Sequence, residues 1–261
     1  MARLEARHLA NLQFSEVSRA LRALSSAYVE RRQTAIAAHR VLDGAGKRAA
    51  FALYYGPIHF LATEQVITTL RAAAAHPDEW RALPVIDVGC GTGAVGAAAA
   101  VATGARSVLG LDTHPWALDE ARDTYTAFGL DASVARASAA KLRRPRQPSF
   151  IVAGYVANEM PEAERAALAR VLVDAVGHGS RALVIEPLAR TAAPWWPEWV
   201  ARFTPLGGQA HEWKLTITPP DIVRRLGEAA GLTPTSTNLR TLFLPATERR
   251  GEGSEEWRSE K

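Results

Sequence analysis

Residues 85–96, VIDVGCGTGAVG, constrain the fold more than any other part of this chain. LPVIDVG is a short, β-branched apolar run that ends in glycine, the pattern of a strand buried on both faces. AVGAAAAVAT follows directly and reads as a helix. A strand, a glycine loop and a helix in that order set the chain up for ligand binding. The loop offers backbone N–H groups, and the helix points the positive end of its dipole at the ligand. The segment admits two readings. Gly91-Thr92-Gly93-Ala94-Val95-Gly96 fits the G-x-G-x-x-G pattern of a dinucleotide loop, whereas Asp87 followed by Gly89, Gly91 and Gly93 forms a unit that starts earlier.

The pattern around this segment repeats. SVLGLD reads as a second strand, PWALDEARDTYTAFG as a helix with Pro115 in its first turn, and ASVARAS as a third strand. SFIVAGYV, PEAERAALARVLVDAV and RALVIEP continue as strand, helix and strand. PWWPEWVARF, the strand-like HEWKLTI, the helix PPDIVRRLGEAAG and the strand TSTNLRTLFL close the series. Alternation of this kind predicts a mostly parallel sheet covered on both faces. The first 80 residues differ. Residues 8–30 read as an amphipathic helix with Val17, Leu21, Leu24 and Tyr28 on one face, and 31–42 as a second helix ended by DGAG. Residues 47–75 read as two helices broken at Gly56-Pro57. The charged tail from Thr247 is expected to be disordered.

Two features decide against a dinucleotide. A carboxylate at Asp87, at the end of the strand, repels a pyrophosphate and suits a cationic group such as an ammonium. The glycine run begins at Gly89, so Gly96 falls inside the helix, where close helix–sheet packing accounts for it. A Tyr-x-x-x-Lys or similar hydride-site signature is also missing. Asp112 ends the second strand, 25 residues beyond Asp87. An acid there accepts hydrogen bonds from both hydroxyls of a ribose. The plain alternative is that Asp112 caps the next helix through DTHP.

VIDVGCGTG and VLGLDTHPWALDEAR, with the order of the elements, resemble the class I S-adenosylmethionine-dependent methyltransferases over about residues 83–245. The resemblance implies a Rossmann-like α/β fold with a seven-stranded sheet of order 3-2-1-4-5-7-6 and strand seven antiparallel. It implies S-adenosylmethionine as cofactor, with Asp87, Gly89, Cys90, Gly91 and Gly93 at the methionine part, Asp112 on the ribose and Thr113 beside the adenosine. Family members often carry an acid or amide after strand three. This chain reads ARASAAKL there, which leaves Ser138 as the nearest polar side chain.

Reacting atoms belong beyond the carboxyl ends of the strands. The fourth strand ends in FIVAGYVANEMP, which makes Tyr155, Asn158 and Glu159 candidate catalytic residues, with Tyr155 also a cofactor contact. Plain alternatives are a helix cap for Asn158 and a helix N-terminal acid for Glu159. The chain lacks the N-P-P-[YF] motif that grips a planar amine. LYYGPIHF sets Tyr54, Tyr55 and His59 around a Gly-Pro step, either as a lid with His59 as a base or as packing of the helical extension. Trp195, Trp196 and Trp199 either line a substrate pocket or anchor a helix. Lys141, Arg143, Arg144 and Arg146 either meet RNA phosphates or form a solvated loop.

AGYVANEMPEAERAAL and Glu186-Pro187, with LYYGPIHF, are similar to the ribosomal small-subunit methyltransferase-like family, whose members are linked to rRNA or to small-subunit assembly. Many members carry a cysteine cluster for a metal centre. This chain has one cysteine, Cys90, so no metal site is expected. The formal net charge is +4, modest for a nucleic-acid partner. No run of 18 apolar residues or secretion signal is present, which points to a cytoplasmic protein without a membrane partner. The expectation is therefore methyl transfer to a small-molecule acceptor. The alternative is an rRNA or ribosome-associated methyltransferase-like protein, including a non-catalytic small-subunit assembly factor. Residues 1–80 are expected to cover the substrate cleft, 81–246 to form the cofactor domain and 247–261 the tail.

Overall fold

A computed structural model describes residues 1–30, 42–80, 82–188 and 193–247. Most of the expected helix at 31–42, and all of the tail beyond Thr247, lie outside the described residues. Among the described residues, seven strands form one sheet of order β3-β2-β1-β4-β5-β7-β6. In chain order these are β1 (Val85–Val88), β2 (Ser107–Asp112), β3 (Asp131–Arg136), β4 (Phe150–Gly154), β5 (Arg181–Pro187), β6 (Gln209–Thr216) and β7 (Ser236–Leu244). β1 pairs in parallel with β2 and β4, and β7 runs antiparallel to both β5 and β6. The order reverses beside β1, so the carboxyl ends of β1, β2 and β4 open into the crevice where ligands of such sheets bind.

Both faces of the sheet are covered. α5 (Ala94–Thr103), α6 (Pro115–Ala127) and α9 (Asp221–Ala230) lie on one face, where Tyr125, Val152, Leu183 and Ile222 share a core. α7 (Glu162–Val176) and α8 (Trp196–Phe203) lie on the other, around Ile151, Leu172, Val184 and Trp199. All four residues of β1 are buried, which is why the strand is an unbroken apolar run apart from Asp87.

The N-terminal helical region packs on the first face. It contains α1 (Ala2–His8), α2 (Phe14–Glu30), α3 (Ala45–Ala50) and α4 (Gly56–Ala73). Val17, Leu21 and Leu24 of α2 enter the core as their spacing predicts, while α2 begins at Phe14 rather than at residue 8. α1 is a separate helix held by ion pairs of Arg7 with Glu120 and Asp123 of α6, and by His8 Nε2 at 3.1 Å from Glu120. The expected break at Gly56-Pro57 is absent. The chain passes from α3 to α4 through a π-helical turn, Phe51–Tyr55, with right-handed helical dihedrals on both sides. Pro57 has no N–H to return to the preceding turn, and the wider π register accommodates that loss without ending the helix. No helix among the described residues is long and apolar enough to cross a membrane.

Candidate active site

The glycine loop turns its donors inward. The Gly89 and Cys90 N–H groups both donate to the Leu111 carbonyl, at 2.8 and 2.9 Å. Gly93 N–H donates to the Cys90 carbonyl at 2.7 Å, and Gly91 N–H to Asp112 Oδ2 at 2.9 Å. Those four N–H groups are therefore taken up within the protein and are not offered to a pyrophosphate. Gly89, Gly91 and Gly93 all have φ between +52° and +77°, which strains any residue with a Cβ. A Cβ at Gly93 would sit 2.9 Å from both Ala121 Cα and Tyr125 Cε1, whereas one at Gly91 would have Phe51 Cε1 at 3.7 Å as its nearest neighbour. Gly91 therefore faces the open side of the loop.

Asp87 lies beneath the loop, fully buried. Its Oδ2 accepts hydrogen bonds from Gly96 N–H and from the Tyr125 hydroxyl, both at 2.8 Å. Oδ1 has no partner. Burial pushes the carboxyl up to about 7, against the pull of those two hydrogen bonds. A Cβ at position 96 would stand 2.5 Å from Asp87 Oδ2, so Gly96 is the close-packing glycine that its place in the helix predicts. The Cys90 side chain also points inward, toward Tyr125 and Gly110, and burial pushes its thiol up. A ligand in the cleft reaches Cys90 only through its backbone.

Asp112 is half-buried at the carboxyl end of β2. Its Oδ1 accepts from His114 N–H at 2.8 Å, a local turn just before α6, whose N-cap is His114 and has no side-chain cap bond. Each carboxylate oxygen carries a second lone pair, and these remain for a ribose diol. Arg136 Nε donates to the Thr113 carbonyl at 3.1 Å, which fixes Thr113 beside the carboxyl end of β3. The Ala137 N–H donates to the Asp112 carbonyl, which places Ser138 one residue from the Asp112 backbone. The resemblance implies S-adenosylmethionine, and the residues fit it. Asp87 Oδ1 is a buried acceptor without a donor, Asp112 keeps acceptor capacity, and Gly91 offers a face free of side chain.

The turn after β4 brings the other candidates together. Tyr155 adopts φ +60°, a left-handed conformation uncommon for a residue with a side chain, and donates its N–H to the Ile185 carbonyl at 2.7 Å. His59 of α4 stacks on its ring, with centroids 3.8 Å apart and planes 12° apart. Phe51 and Tyr55 stand around the same imidazole, with centroids at 6.4 and 5.9 Å. Enclosure among these groups lowers the His59 imidazole to about 3, so it is neutral at physiological pH. Glu159 ends the single 3-10 turn Ala157–Glu159. Solvent reaches its side chain, yet the protein crowded around it and the Asp112 carboxylate push its carboxyl up to about 7. Asn158 is engaged rather than free: its Oδ1 accepts from the Trp195 indole N–H at 3.0 Å.

Several further residues build this site, although the sequence alone gives none of them a site role. Glu186, fully buried on β5, accepts the Asn158 N–H through Oε1 at 3.2 Å, while its Oε2 has no partner. Tyr125 holds Asp87, and the sole local signal for it is its place on the buried α6 stripe Ala117, Leu118, Ala121, Tyr125. Phe51 and Thr92 mark where the N-terminal segment meets the loop: Phe51 Cε1 would stand 3.7 Å from a Cβ at Gly91, and Thr92 Oγ1 3.1 Å from a Cβ at Gly56.

Residues 85–179 match the family model described as a methyltransferase domain. No curated protein matches the chain. The solved plantazolicin methyltransferase BpumL, in complex with S-adenosylhomocysteine, is 10% identical, with 86% of this chain and 98% of that chain covered and a TM-score of 0.53. YcgJ from Bacillus subtilis is 17% identical over 69% of this chain and 96% of its own, with a TM-score of 0.46. An rRNA methylase from Streptococcus thermophilus is 12% identical over 66% and 95%, with a TM-score of 0.44. Residues 85–179 thus carry a methyltransferase domain, and the sheet has the fold of the class I S-adenosylmethionine-dependent methyltransferases.

Proposed function

We propose that this methyltransferase acts on a small-molecule acceptor held at the turn after β4, beneath a cover formed by residues 1–80. The observation that carries this reading is the stack of His59 on Tyr155. It seats α4 of the N-terminal region directly on the turn from which the reacting atoms are approached. A covered, aromatic cleft suits a small, largely apolar acceptor, because aromatic faces exclude water and fix the plane of what lies between them. A folded RNA needs an open, basic approach.

S-adenosylmethionine, when bound, supplies an already activated methyl group on a sulfonium sulfur. This chain's residues bind, orient and exclude water. Asp87 Oδ1 accepts the methionine ammonium, Gly89 to Gly93 pass along the methionine part, Asp112 holds the ribose, and Thr113 and Ser138 border the adenosine. Tyr155 and His59 form the aromatic wall. His59 acts there as a neutral ring and not as a base, since a group near 3 is a poor proton acceptor. Glu159, near neutral, is the group suited to take the proton that an acceptor releases. Asn158 shapes the turn through Trp195.

The test uses purified full-length protein and methyl-labelled S-adenosylmethionine. A low-molecular-mass cell extract and intact small ribosomal subunits are offered in parallel. Label is expected in the small-molecule fraction. Label confined to rRNA would overturn the reading in favour of the ribosomal alternative.

A further inference from the structure

We propose that Arg165 of α7 is a positioning residue for methyl transfer, clamping the turn after β4 so that Glu159 keeps its place at the reacting atoms. This rests on the reading above that those atoms lie at that turn.

The turn Ala157–Glu159 is a single 3-10 turn. Its backbone closes through Glu159 N–H to the Val156 carbonyl at 3.0 Å and Met160 N–H to the Ala157 carbonyl at 3.3 Å. Bonds of this geometry hold one isolated turn weakly. Other elements supply the rest. Arg165 Nη1 donates to the Met160 carbonyl at 2.7 Å and to the Ala157 carbonyl at 3.3 Å, so one nitrogen spans both ends of the turn. The same guanidinium lies over the Trp195 ring, 5.3 Å from its centroid. Trp195 in turn donates its indole N–H to Asn158 Oδ1 at 3.0 Å. These contacts close a ring: from Arg165 to the Ala157 carbonyl, along the chain to Asn158, across to Trp195 and back to Arg165. Glu186 of β5 adds a third hold by accepting the Asn158 N–H at 3.2 Å. Ala157 is buried and Asn158 half-buried, which leaves Glu159 as the exposed member of the clamped turn.

A second observation separates this role from support of α7 itself. Arg165 is the fourth residue of that helix. The helix dipole disfavours a cation so near the N-terminus and favours acids such as Glu162 and Glu164 in the same turn. Burial also works against the guanidinium charge, opposed by Glu162, Glu186 and Glu198. An arginine placed for the sake of the helix belongs at its other end. The carbonyls that Arg165 takes up belong to the turn, and the ring it covers belongs to the start of α8.

The test compares the full-length wild type with Arg165→Ala, Arg165→Lys and, as a control, the exposed Arg170→Ala on the same helix. Methyl-labelled S-adenosylmethionine at saturation is offered with the low-molecular-mass extract and, separately, with small ribosomal subunits. Arg165→Ala should slow transfer by about tenfold to a hundredfold, the cost of a misplaced group. Its calorimetric affinity for S-adenosylhomocysteine should match wild type, because Asp87, the glycine loop and Asp112 are untouched. Arg165→Lys should retain part of the rate, since an ammonium can donate to a carbonyl but has no plane to lay on Trp195. Guanidinium at sub-denaturing concentration should restore part of the rate to Arg165→Ala, and sodium chloride should not. Arg170→Ala should behave as wild type. Amide exchange followed by NMR needs no acceptor: in Arg165→Ala the Asn158 and Glu159 N–H groups should exchange about tenfold faster, with Gly93 and Gly96 unchanged. Wild-type exchange at the turn overturns the clamp, and so does a wild-type transfer rate in Arg165→Ala. A parallel loss of rate, cofactor affinity and melting temperature that guanidinium does not restore also overturns it, and makes Arg165 a residue of the fold alone. Label confined to rRNA would overturn the small-molecule reading instead, and the same comparison of variants would then decide the clamp with rRNA as acceptor.

Discussion

His59 lies flat on Tyr155, ring centroids 3.8 Å apart, and so joins a helix of the N-terminal region to a turn of the sheet 96 residues further along the chain. The partner ring belongs to a residue at φ +60°, a backbone state that persists only when its surroundings hold it. Loss of the stack should loosen that turn. An aromatic pair contributes roughly 0.5–1.5 kcal/mol beyond its buried area. His59→Ala should thus weaken S-adenosylhomocysteine binding by roughly 2–10-fold. His59→Phe should keep both affinity and methyl transfer, because the ring and not its nitrogen is what the site uses. By NMR, the wild-type imidazole should show no titration between about pH 5 and 8. The fold favours the neutral ring, so this residue's contribution to stability is present above its ordinary value of 6.5 and declines as pH falls toward about 3.

Asp87 predicts the opposite pH sign. Its folded carboxyl titrates near 7, against an ordinary value of 3.8. Between these values the folded protein holds a proton that the unfolded chain has released, so the contribution is present below pH 3.8 and is lost as pH rises through 7. Urea denaturation should show a fall in stability from pH 5 to pH 8, and the fall should be smaller in Asp87→Asn. Asp87→Ala leaves the Gly96 N–H and the Tyr125 hydroxyl without an acceptor, at roughly 1–3 kcal/mol for each buried group. A variant as stable as wild type at both pH values would refute the buried role.

Two glycines of the same segment should fail in different ways. At Gly96 a new methyl meets Asp87 Oδ2 at 2.5 Å and Asp87 Cβ at 2.8 Å, and overpacking of this kind costs roughly 1–3 kcal/mol. Gly96→Ala should melt earlier and show weaker ligand binding only as a consequence. At Gly91 the nearest atom is Phe51 Cε1 at 3.7 Å, and the strain of φ +52° adds roughly 1–2 kcal/mol. Gly91→Ala should remain folded at room temperature but lose S-adenosylhomocysteine affinity by roughly tenfold or more, the methyl standing on the face offered to the cofactor. Thermal melts paired with calorimetry separate the two. The reverse pattern would move the cofactor off Gly91.

These contrasts mark what was legible in the sequence. The unit from Asp87 to Gly93 was legible because three left-handed positions in seven residues demand glycine locally. Gly96 was legible as packing because its register puts it inside the helix. The strand order followed from likeness to a family rather than from spacing. Other features depend on contacts between distant elements, which leave no local pattern. The inward turn of the loop's N–H groups depends on Leu111 and Asp112, some 20 residues away. The π turn at Phe51–Tyr55 was hidden because Gly56-Pro57 reads as a stop, and only the surrounding packing carries the helix through it. Glu186 stood out as half of a Glu-Pro pair, but its bond to Asn158 requires β4 and β5 to be neighbours.

Asn158 provides the remaining prediction, because its two candidate roles separate cleanly. Its Oδ1 accepts from the Trp195 indole at 3.0 Å, and Trp195 in turn lies under the Arg165 guanidinium at 5.3 Å. Trp195 is only 8% exposed, so loss of this acceptor strands a buried N–H at roughly 1–3 kcal/mol. Asn158→Ala should lower stability by that amount, shift the indole fluorescence and weaken S-adenosylhomocysteine binding modestly. Trp195→Phe removes the other half of the same bond, and the double variant should cost less than the two single changes added together. Asn158→Asp keeps an acceptor oxygen for the indole but adds a carboxylate beside Glu159 and Glu186, so it should bind ligand nearly as wild type at low pH and lose stability as pH rises and the new group ionises. If Asn158→Asp instead abolished methyl transfer while stability and cofactor affinity stayed intact, the amide nitrogen would belong to the chemistry and the residue would return to the list of groups that touch the reacting atoms.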